Sequence, residues 1–266
     1  MARMPNSSLQ LDSLRKDVPA VLLVGGMGTR LRSVFSSKPK PLAPLGEMSF
    51  LEVLVQQLRT QGMRRLVMCT GFQADQVEEE FGNGSKWDVE IEYSKEACPL
   101  GTAGALKLAE KSLFQAYDFL VMNGDSFLEC DFHKLLLFHR KHGGQATIAA
   151  RQVPDAARYG TILVDEENRI VRFSEKAGKH EPGLVNGGVY VFNREVLEWI
   201  PKGPSSLEHD ILPRLLERGV FALEQEGMFI DIGTPEDYAR AQSLGERLAK
   251  AARTEPHSGS ETLWRP

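Results

Sequence analysis

Apolar and polar positions alternate along this chain in two rhythms, and the elements follow from where one gives way to the other. Residues 21–24, Val-Leu-Leu-Val, form the continuous apolar run of a strand buried on both faces, and the run ends in Gly25, Gly26 and Gly28. Phe50, Leu51, Leu54, Val55 and Leu58 then recur at i, i+3, i+4 spacing, which predicts a helix over 50–61 with Gly62 as its stop. Strand-like runs at 64–70, 89–93 and 119–123 each follow a helical one, at 50–61, 74–81 and 103–111. Such alternation predicts crossover units and a mostly parallel sheet.

Beyond Asp125 the order changes. A helical pattern at 133–142 is followed by strand-like runs at 146–153, 160–165, 169–175 and 184–192, with turn residues between them. Strands now follow strands, so this half should add antiparallel pairs. A helix over 207–218, short strands at 221–225 and 229–233, and a last helix starting at Pro235 complete the pattern. The expected fold is α/β, a Rossmann-like mixed sheet flanked by helices.

At 266 residues with 42% hydrophobic and 26% charged positions, the chain can bury the core of one large domain. That domain is expected over 19–245, between a polar, flexible segment at 1–18 and a helix end with a flexible tail at 246–266. A net charge of −4 gives no polyanion-binding footprint, so nucleic acid is not an expected partner. Cys69, Cys98 and Cys130 are few and widely spaced, which suits free thiols in a reducing compartment. Neither a signal-peptide core nor a membrane-length apolar run is visible, so no membrane partner and a cytoplasmic location are expected.

The glycine turn is the first candidate site. Gly25, Gly26 and Gly28 let backbone approach a ligand and turn N–H groups toward an anion, with Arg30 and Lys40 as the charges. A plain strand exit with a solvated basic loop reads equally well from the glycines alone. They match neither the full dinucleotide fingerprint nor a P-loop. Asp125 closes the strand 118–123 at its carboxyl end, where open α/β sheets bind ligands, or it caps the next helix. Asp231 sits between Ile230 and Ile232, where an unpaired charge is costly, or it serves as a cap before Thr234-Pro235. Leu100, Gly101, Thr102 and Gly104 open a helix; their glycines suit an ordinary start or the approach of a flat base. Glu175-Lys176 reads as a solvated pair, Gly187-Gly188 as a bulge, and Glu208 as an acidic residue of a helix start.

The block GGMGTRL, followed by PKPLAP, resembles the signature of the sugar-1-phosphate nucleotidyltransferases. The resemblance extends over roughly 19–244. It implies a Mg²⁺-dependent enzyme that joins a nucleoside triphosphate to a sugar 1-phosphate and releases pyrophosphate, without a covalent nucleophile. It also implies roles for residues. Arg30, Lys40 and Asp125 would be catalytic, and Asp125 and Asp231 would hold the metal. Gly25, Gly26, Gly28, Thr29, Arg30, Lys40, Leu100, Gly101 and Thr102 would bind the nucleotide, and Gly160, Glu175, Lys176 and Asn186 the sugar phosphate.

The form of PLGTAG at 99–104 is similar to that of mannose and heptose guanylyltransferases, which implies GTP and most specifically D-glycero-α-D-manno-heptose 1-phosphate. Mannose 1-phosphate, or a uridylyl or thymidylyl transfer, is the alternative. Ala177 stands where the family commonly has proline after the lysine. Many relatives carry a C-terminal β-helix of hexapeptide repeats; no such repeat is present here, so the catalytic domain alone is expected. A glycosyltransferase or a non-catalytic nucleotide-sugar sensor remains a different class of reading, and homo-oligomerisation is left open.

Overall fold

The structure is a computed structural model that describes residues 18–31, 38–174 and 180–255. β1 (Ala20–Leu23) runs into the glycine turn, a short hairpin of β2 (Pro44–Leu45) and β3 (Met48–Ser49), and then α1 (Phe50–Thr60). β4 (Arg65–Thr70), α2 (Ala74–Phe81), β5 (Glu90–Lys95), α3 (Gly101–Leu108) and β6 (Asp118–Asn123) continue the alternation read from the sequence. The later half holds β7 (Ser126–Leu128), α4 (Phe132–His142), β8 (Ala146–Val153), β9 (Thr161–Val164), β10 (Ile170–Ser174) and β11 (Gly183–Asn193). It closes with α5 (Val196–Trp199), α6 (Leu212–Leu215), β12 (Val220–Glu224), β13 (Phe229–Asp231), α7 (Pro235–Ser243) and α8 (Gly245–Arg253).

Nine strands form one mixed sheet in the order β10-β9-β11-β6-β1-β4-β5, with β8 joined to β11 and β12 to β8. β5, β4, β1 and β6 are parallel neighbours, as expected of crossover units. β11 runs antiparallel to β6, β8 and β9, and β10 antiparallel to β9, so only β11 and β10 oppose the common strand direction. The sheet is mostly parallel in direction, and every antiparallel pair in it includes a strand of the later half. There is no β-helix among the described residues.

Apolar residues cover both faces of the sheet. Ala20, Leu22 and Val24 join one core with Phe50, Leu54 and Leu58 of α1 and Phe132 and Leu135 of α4. Val21, between them in sequence, faces the other core with Ala103 and Leu106 of α3 and Leu212 and Leu215 of α6. That two-sided burial is why β1 reads as a continuous apolar run instead of an alternation. Helix α1 starts at a capping box, where the Ser49 hydroxyl accepts the Glu52 N–H and the Glu52 carboxylate accepts the Ser49 N–H. Its buried face also carries two glutamines. Gln57 donates to the Leu128 carbonyl at 2.7 Å and Gln61 to that of Cys130 at 2.8 Å, which fixes the chain just beyond Asp125.

The short strand expected at 229–233, for which the sequence names no partner, is Phe229–Asp231, paired antiparallel with β7 in a separate two-stranded ribbon. Two elements differ from the sequence expectation. The helix expected over 207–218 is broken into a wide turn at Leu207–Ile211, the single turn α6 and a tight turn at Leu216–Arg218. Pro213 lacks an N–H and crowds the preceding turn, which prevents one regular helix. Helix α8 emerges as an element of its own within the segment read as a helix end. Residues 1–17 and 256–266, which hold most of the segments expected to be flexible, lie outside the described residues.

Candidate functional site

At the carboxyl ends of β1 and β6 the sheet opens into a cavity of about 1030 Å³. Gly26, Gly28, Thr29, Arg30, Lys40, Asp125, Gly160, Asn186 and Asp231 all line it, although they come from segments spread over two hundred residues. Topology brings them together. β1 and β6 are adjacent and parallel, so the glycine turn and Asp125 leave the sheet side by side. Gly124 donates its N–H to the Leu23 carbonyl at 3.0 Å, and a Cβ on Gly124 would lie 2.6 Å from that oxygen. Only glycine lets the two turns pack this closely.

Gly28 has φ +56°, and a Cβ there would lie 2.8 Å from the Lys40 Cβ. The glycine therefore admits Lys40, whose side chain is largely buried and reaches the Asp125 Oδ2 at 2.6 Å. Short turns at Thr29–Leu31 and Lys40–Leu42 flank this contact and leave Arg30 exposed at the cavity mouth. Gly25 faces away from the cavity, toward Glu96: a Cβ on it would meet the Glu96 Oε1 at 2.8 Å. Glu96 accepts the Leu100 N–H at 3.1 Å, and its carboxyl is raised above the usual range, chiefly by burial.

Asp125 and Asp231 are neighbours by virtue of the β7–β13 ribbon. Asp231 pairs in register with Ser126, and Ile232 donates its N–H to the Asp125 carbonyl at 2.9 Å. Burial and then the charge of Asp125 push the Asp231 carboxyl up to about 6, against the opposing effect of Lys40. Neither aspartate caps a helix. Asp131 caps α4 and Thr234 caps α7, while Asp231 Oδ1 accepts the Gly233 N–H at 2.6 Å. Two neighbouring carboxylates in a cavity, the charge of Asp125 opposing the ionisation of Asp231, fit a hard divalent cation with oxygen ligands. No group of three or more His, Cys, Asp or Glu side chains gathers for a metal among the described residues, so other ligands would have to come from substrate or water.

The first turn of α3 stands differently from its reading as a base platform. Leu100, Gly101 and Thr102 do not line the cavity. Gly101, at φ +70°, and Gly104 are glycines because Cβ atoms there would lie 2.5 Å from the Ser205 and Gly203 carbonyl oxygens. The Ser205 carbonyl accepts the N–H groups of Ala103 and Gly104, and the Leu100 carbonyl accepts that of Ser205 at 2.8 Å. Two N–H groups of the helix start are thus satisfied by the chain itself. The Thr102 hydroxyl donates to Glu208 Oε2 at 2.9 Å.

Glu208, read as an acidic residue of a helix start, has another place. Ser206 caps that segment by accepting the His209 N–H, and the Glu208 side chain turns into the cavity wall. Arg158 and Tyr159 were also not singled out, although they adjoin Gly160. Arg158 makes a two-pronged ion pair with Asp237, and Tyr159 packs on Phe229 with ring centroids 5.6 Å apart. Those contacts dock the Gly160 loop onto the segment that carries Asp231. Gly187 and Gly188 do mark a bulge, where the β11–β8 register shifts between Asn186 and Val189. Glu175, Lys176 and Ala177 lie outside the described residues, as does Arg32.

A cleft of this kind, with glycines, cations and paired carboxylates at the carboxyl ends of an open α/β sheet, defines the class of proteins that bind phosphorylated ligands there. More particularly, the chain belongs to the nucleotidyl transferase family, whose sequence profile matches residues 19–247. It is 36% identical over 228 residues to the mannose-1-phosphate guanylyltransferase catalytic subunit beta of Drosophila pseudoobscura pseudoobscura, covering 85% of this chain and 62% of that protein. It is 36% identical over 225 residues to the D-glycero-alpha-D-manno-heptose 1-phosphate guanylyltransferase of Aneurinibacillus thermoaerophilus, covering 84% of this chain and 96% of that one. The crystal structure of HddC from Yersinia pseudotuberculosis complexed with GMP-PN superposes with a TM-score of 0.76 at 32% identity, over 85% of this chain and 98% of that one. The chain is related in sequence and structure to sugar-1-phosphate guanylyltransferases. No helix among the described residues is long and apolar enough to cross a membrane.

Proposed function

We propose that the protein is a sugar-1-phosphate nucleotidyltransferase that uses GTP and a manno-configured sugar 1-phosphate, with D-glycero-α-D-manno-heptose 1-phosphate the preferred sugar. The observation that carries this reading is the meeting of the glycine turn, Lys40, Asp125 and Asp231 in one cavity. A sugar-phosphate oxygen attacks the α-phosphorus, a new P–O bond forms, and the bond to the β-phosphate oxygen breaks to release pyrophosphate. No covalent enzyme intermediate is needed, so positioning and charge neutralisation carry the catalysis.

In this reading Arg30, at the mouth, faces the leaving pyrophosphate, and the backbone of Gly26 and Gly28 approaches the phosphates. Lys40 is directed by Gly28 toward the α-phosphate. Asn186 and Gly160 line the sugar side, and the family resemblance assigns Lys176 and Glu175 to the same substrate. Asp125 and Asp231 would hold Mg²⁺, which would supply positive charge against the phosphate oxygens. The preference for GTP rests on the guanylyltransferase-like form of PLGTAG at 99–104. Guanine offers an N1–H and an exocyclic amine, a pair of donors that the same edge of adenine lacks.

The test is kcat/KM for GTP, ATP, UTP, CTP and dTTP against mannose and heptose 1-phosphates. GTP should lead by at least about tenfold, the equivalent of about 1.4 kcal/mol. A pyrimidine lead of that size would overturn the guanylyl assignment and leave the reaction class standing.

A further inference from the structure

Tyr190 is wholly buried beneath the cavity floor, yet its hydroxyl lies at the centre of a chain of polar groups. It donates to Glu208 Oε1 at 2.9 Å and accepts from Asn186 Nδ2 at 2.8 Å. Glu208 Oε2 accepts from the hydroxyls of Thr102 and Ser206, each at 2.9 Å. Asn186 Oδ1 accepts the Gly188 N–H at 2.9 Å, which the bulge at Gly187-Gly188 aims back at it. Both Asn186 and Glu208 also line the cavity, on the side of Gly160 and Ser126.

The polarity of this chain is determined. A carboxylate only accepts, so the Tyr190 proton goes to Glu208 and the hydroxyl must accept from Asn186. Burial, and then the nearby Glu208 charge, push the Tyr190 hydroxyl well above its ordinary value, so it keeps that proton. The Asn186 amide is thereby held at both ends, nitrogen to Tyr190 and oxygen to Gly188, and a flip would set donor against donor at Gly188. One N–H of Asn186 is left over. Glu208 has about four acceptor positions, three of them filled by hydroxyls, so one is left over there too. Alongside, Asn123 Oδ1 and Ser126 Oγ are buried with no hydrogen-bond partner in the protein, an unmet demand of the kind that ligands or water supply.

We propose that Glu208 is a sugar-binding residue, and that Tyr190 positions it and Asn186 as a matched acceptor and donor that grip a sugar hydroxyl in both directions. The hydroxyl gives its hydrogen to Glu208 and receives the spare N–H of Asn186. This inference rests on the sugar 1-phosphate reading above and adds to it a residue outside the nucleotide's phosphate site. The chain also reaches Thr102 at the start of α3, so the sugar wall is braced by the element that follows Glu96.

Steady-state kinetics of the full-length protein test it, with GTP and mannose 1-phosphate varied separately for the wild type, Tyr190→Phe, Glu208→Gln, Asn186→Ala and the Tyr190→Phe/Asn186→Ala double variant. Tyr190→Phe and Glu208→Gln should each raise KM for the sugar phosphate about tenfold, the scale of one buried hydrogen bond to a charged group. KM for GTP should hold close to wild type, while the loss of a buried hydrogen bond lowers the melting temperature by only a few degrees and leaves each variant folded. The double variant should raise KM for the sugar phosphate by less than the two single effects combined, because part of what Tyr190 does is exerted through Asn186. An unmoved sugar KM, a parallel rise in both KM values, or additive effects in the double variant would overturn the inference while wild-type turnover preserves the proposed function. A wild type that releases no pyrophosphate from any triphosphate and sugar 1-phosphate would overturn both.

Discussion

At the scale of single residues, the chemistry was legible where one side chain stood at one recognisable position, and opaque where its task depended on a distant partner. Asp125, at the end of an apolar strand, and Asp231, between two isoleucines, could be singled out from their neighbours alone. Each nonetheless left a capping role open, which only the observed caps at Asp131 and Thr234 remove. Glu208 was opaque because its partners, Thr102 and Tyr190, are 106 and 18 residues away. The raised Asp231 carboxyl carries a prediction. In the folded, metal-free protein its proton is held up to about pH 6, above the unfolded value, so this site costs stability progressively as pH rises through that range. In chelator at pH 7.5, Asp231→Asn should therefore melt a few degrees higher than wild type. Asp125→Asn and Asp231→Asn should both lower Mg²⁺-dependent turnover by about a hundredfold or more. Near-wild-type turnover in either variant, or a lower melting point for Asp231→Asn, would contradict the paired-carboxylate site.

At the scale of elements, the alternating rhythm of strands and helices was readable because each crossover helix shows one apolar stripe and each central strand an unbroken apolar run. The stripe residues Phe50, Leu51, Leu54, Val55 and Leu58 are all fully buried. Less readable was where a strand goes. Phe229–Asp231 has the composition of a sheet strand, but it pairs with Ser126–Leu128, and no local pattern encodes that choice. The glycines likewise read as one class yet do different work. Gly28 makes room for Lys40, while Gly101 and Gly104 make room for the backbone at 203–205. Gly28→Ala should accordingly act on the site. It forces a side chain onto φ +56° and against Lys40, a backbone cost of about 1–2 kcal/mol, and displaces the ammonium. Turnover should fall well beyond what the modest loss in melting temperature explains; full activity would show that Lys40 does not depend on this turn.

At the scale of the whole molecule, helices cover both faces of the sheet and the cavity opens at its carboxyl edge, while a separate polar cluster sits at the amino end of β6. There Asp118 is buried, with the Arg140 Nε at 2.7 Å and the His139 Nε2 at 3.6 Å. Burial opposes its ionisation, but the bonds from His139 and Arg140 outweigh it and hold the carboxyl below the usual aspartate range. A depressed folded value contributes stability that is present above the unfolded value and is lost as pH falls through the folded one. Melting temperature should thus drop on acidification below about pH 4 in the wild type, and the drop should be shallower in Asp118→Asn; equal slopes would remove Asp118 from the acid response.

One cavity is expected to join two phosphorylated substrates. Phosphorus NMR of the protein with GTP, a manno-configured sugar 1-phosphate and Mg²⁺ tests it most directly. The prediction is pyrophosphate and a nucleotide-sugar appearing in equal amounts, only when both substrates are present. Sugar transfer to an acceptor with release of a nucleoside diphosphate, or binding of both ligands without any new phosphorus signal, would contradict it.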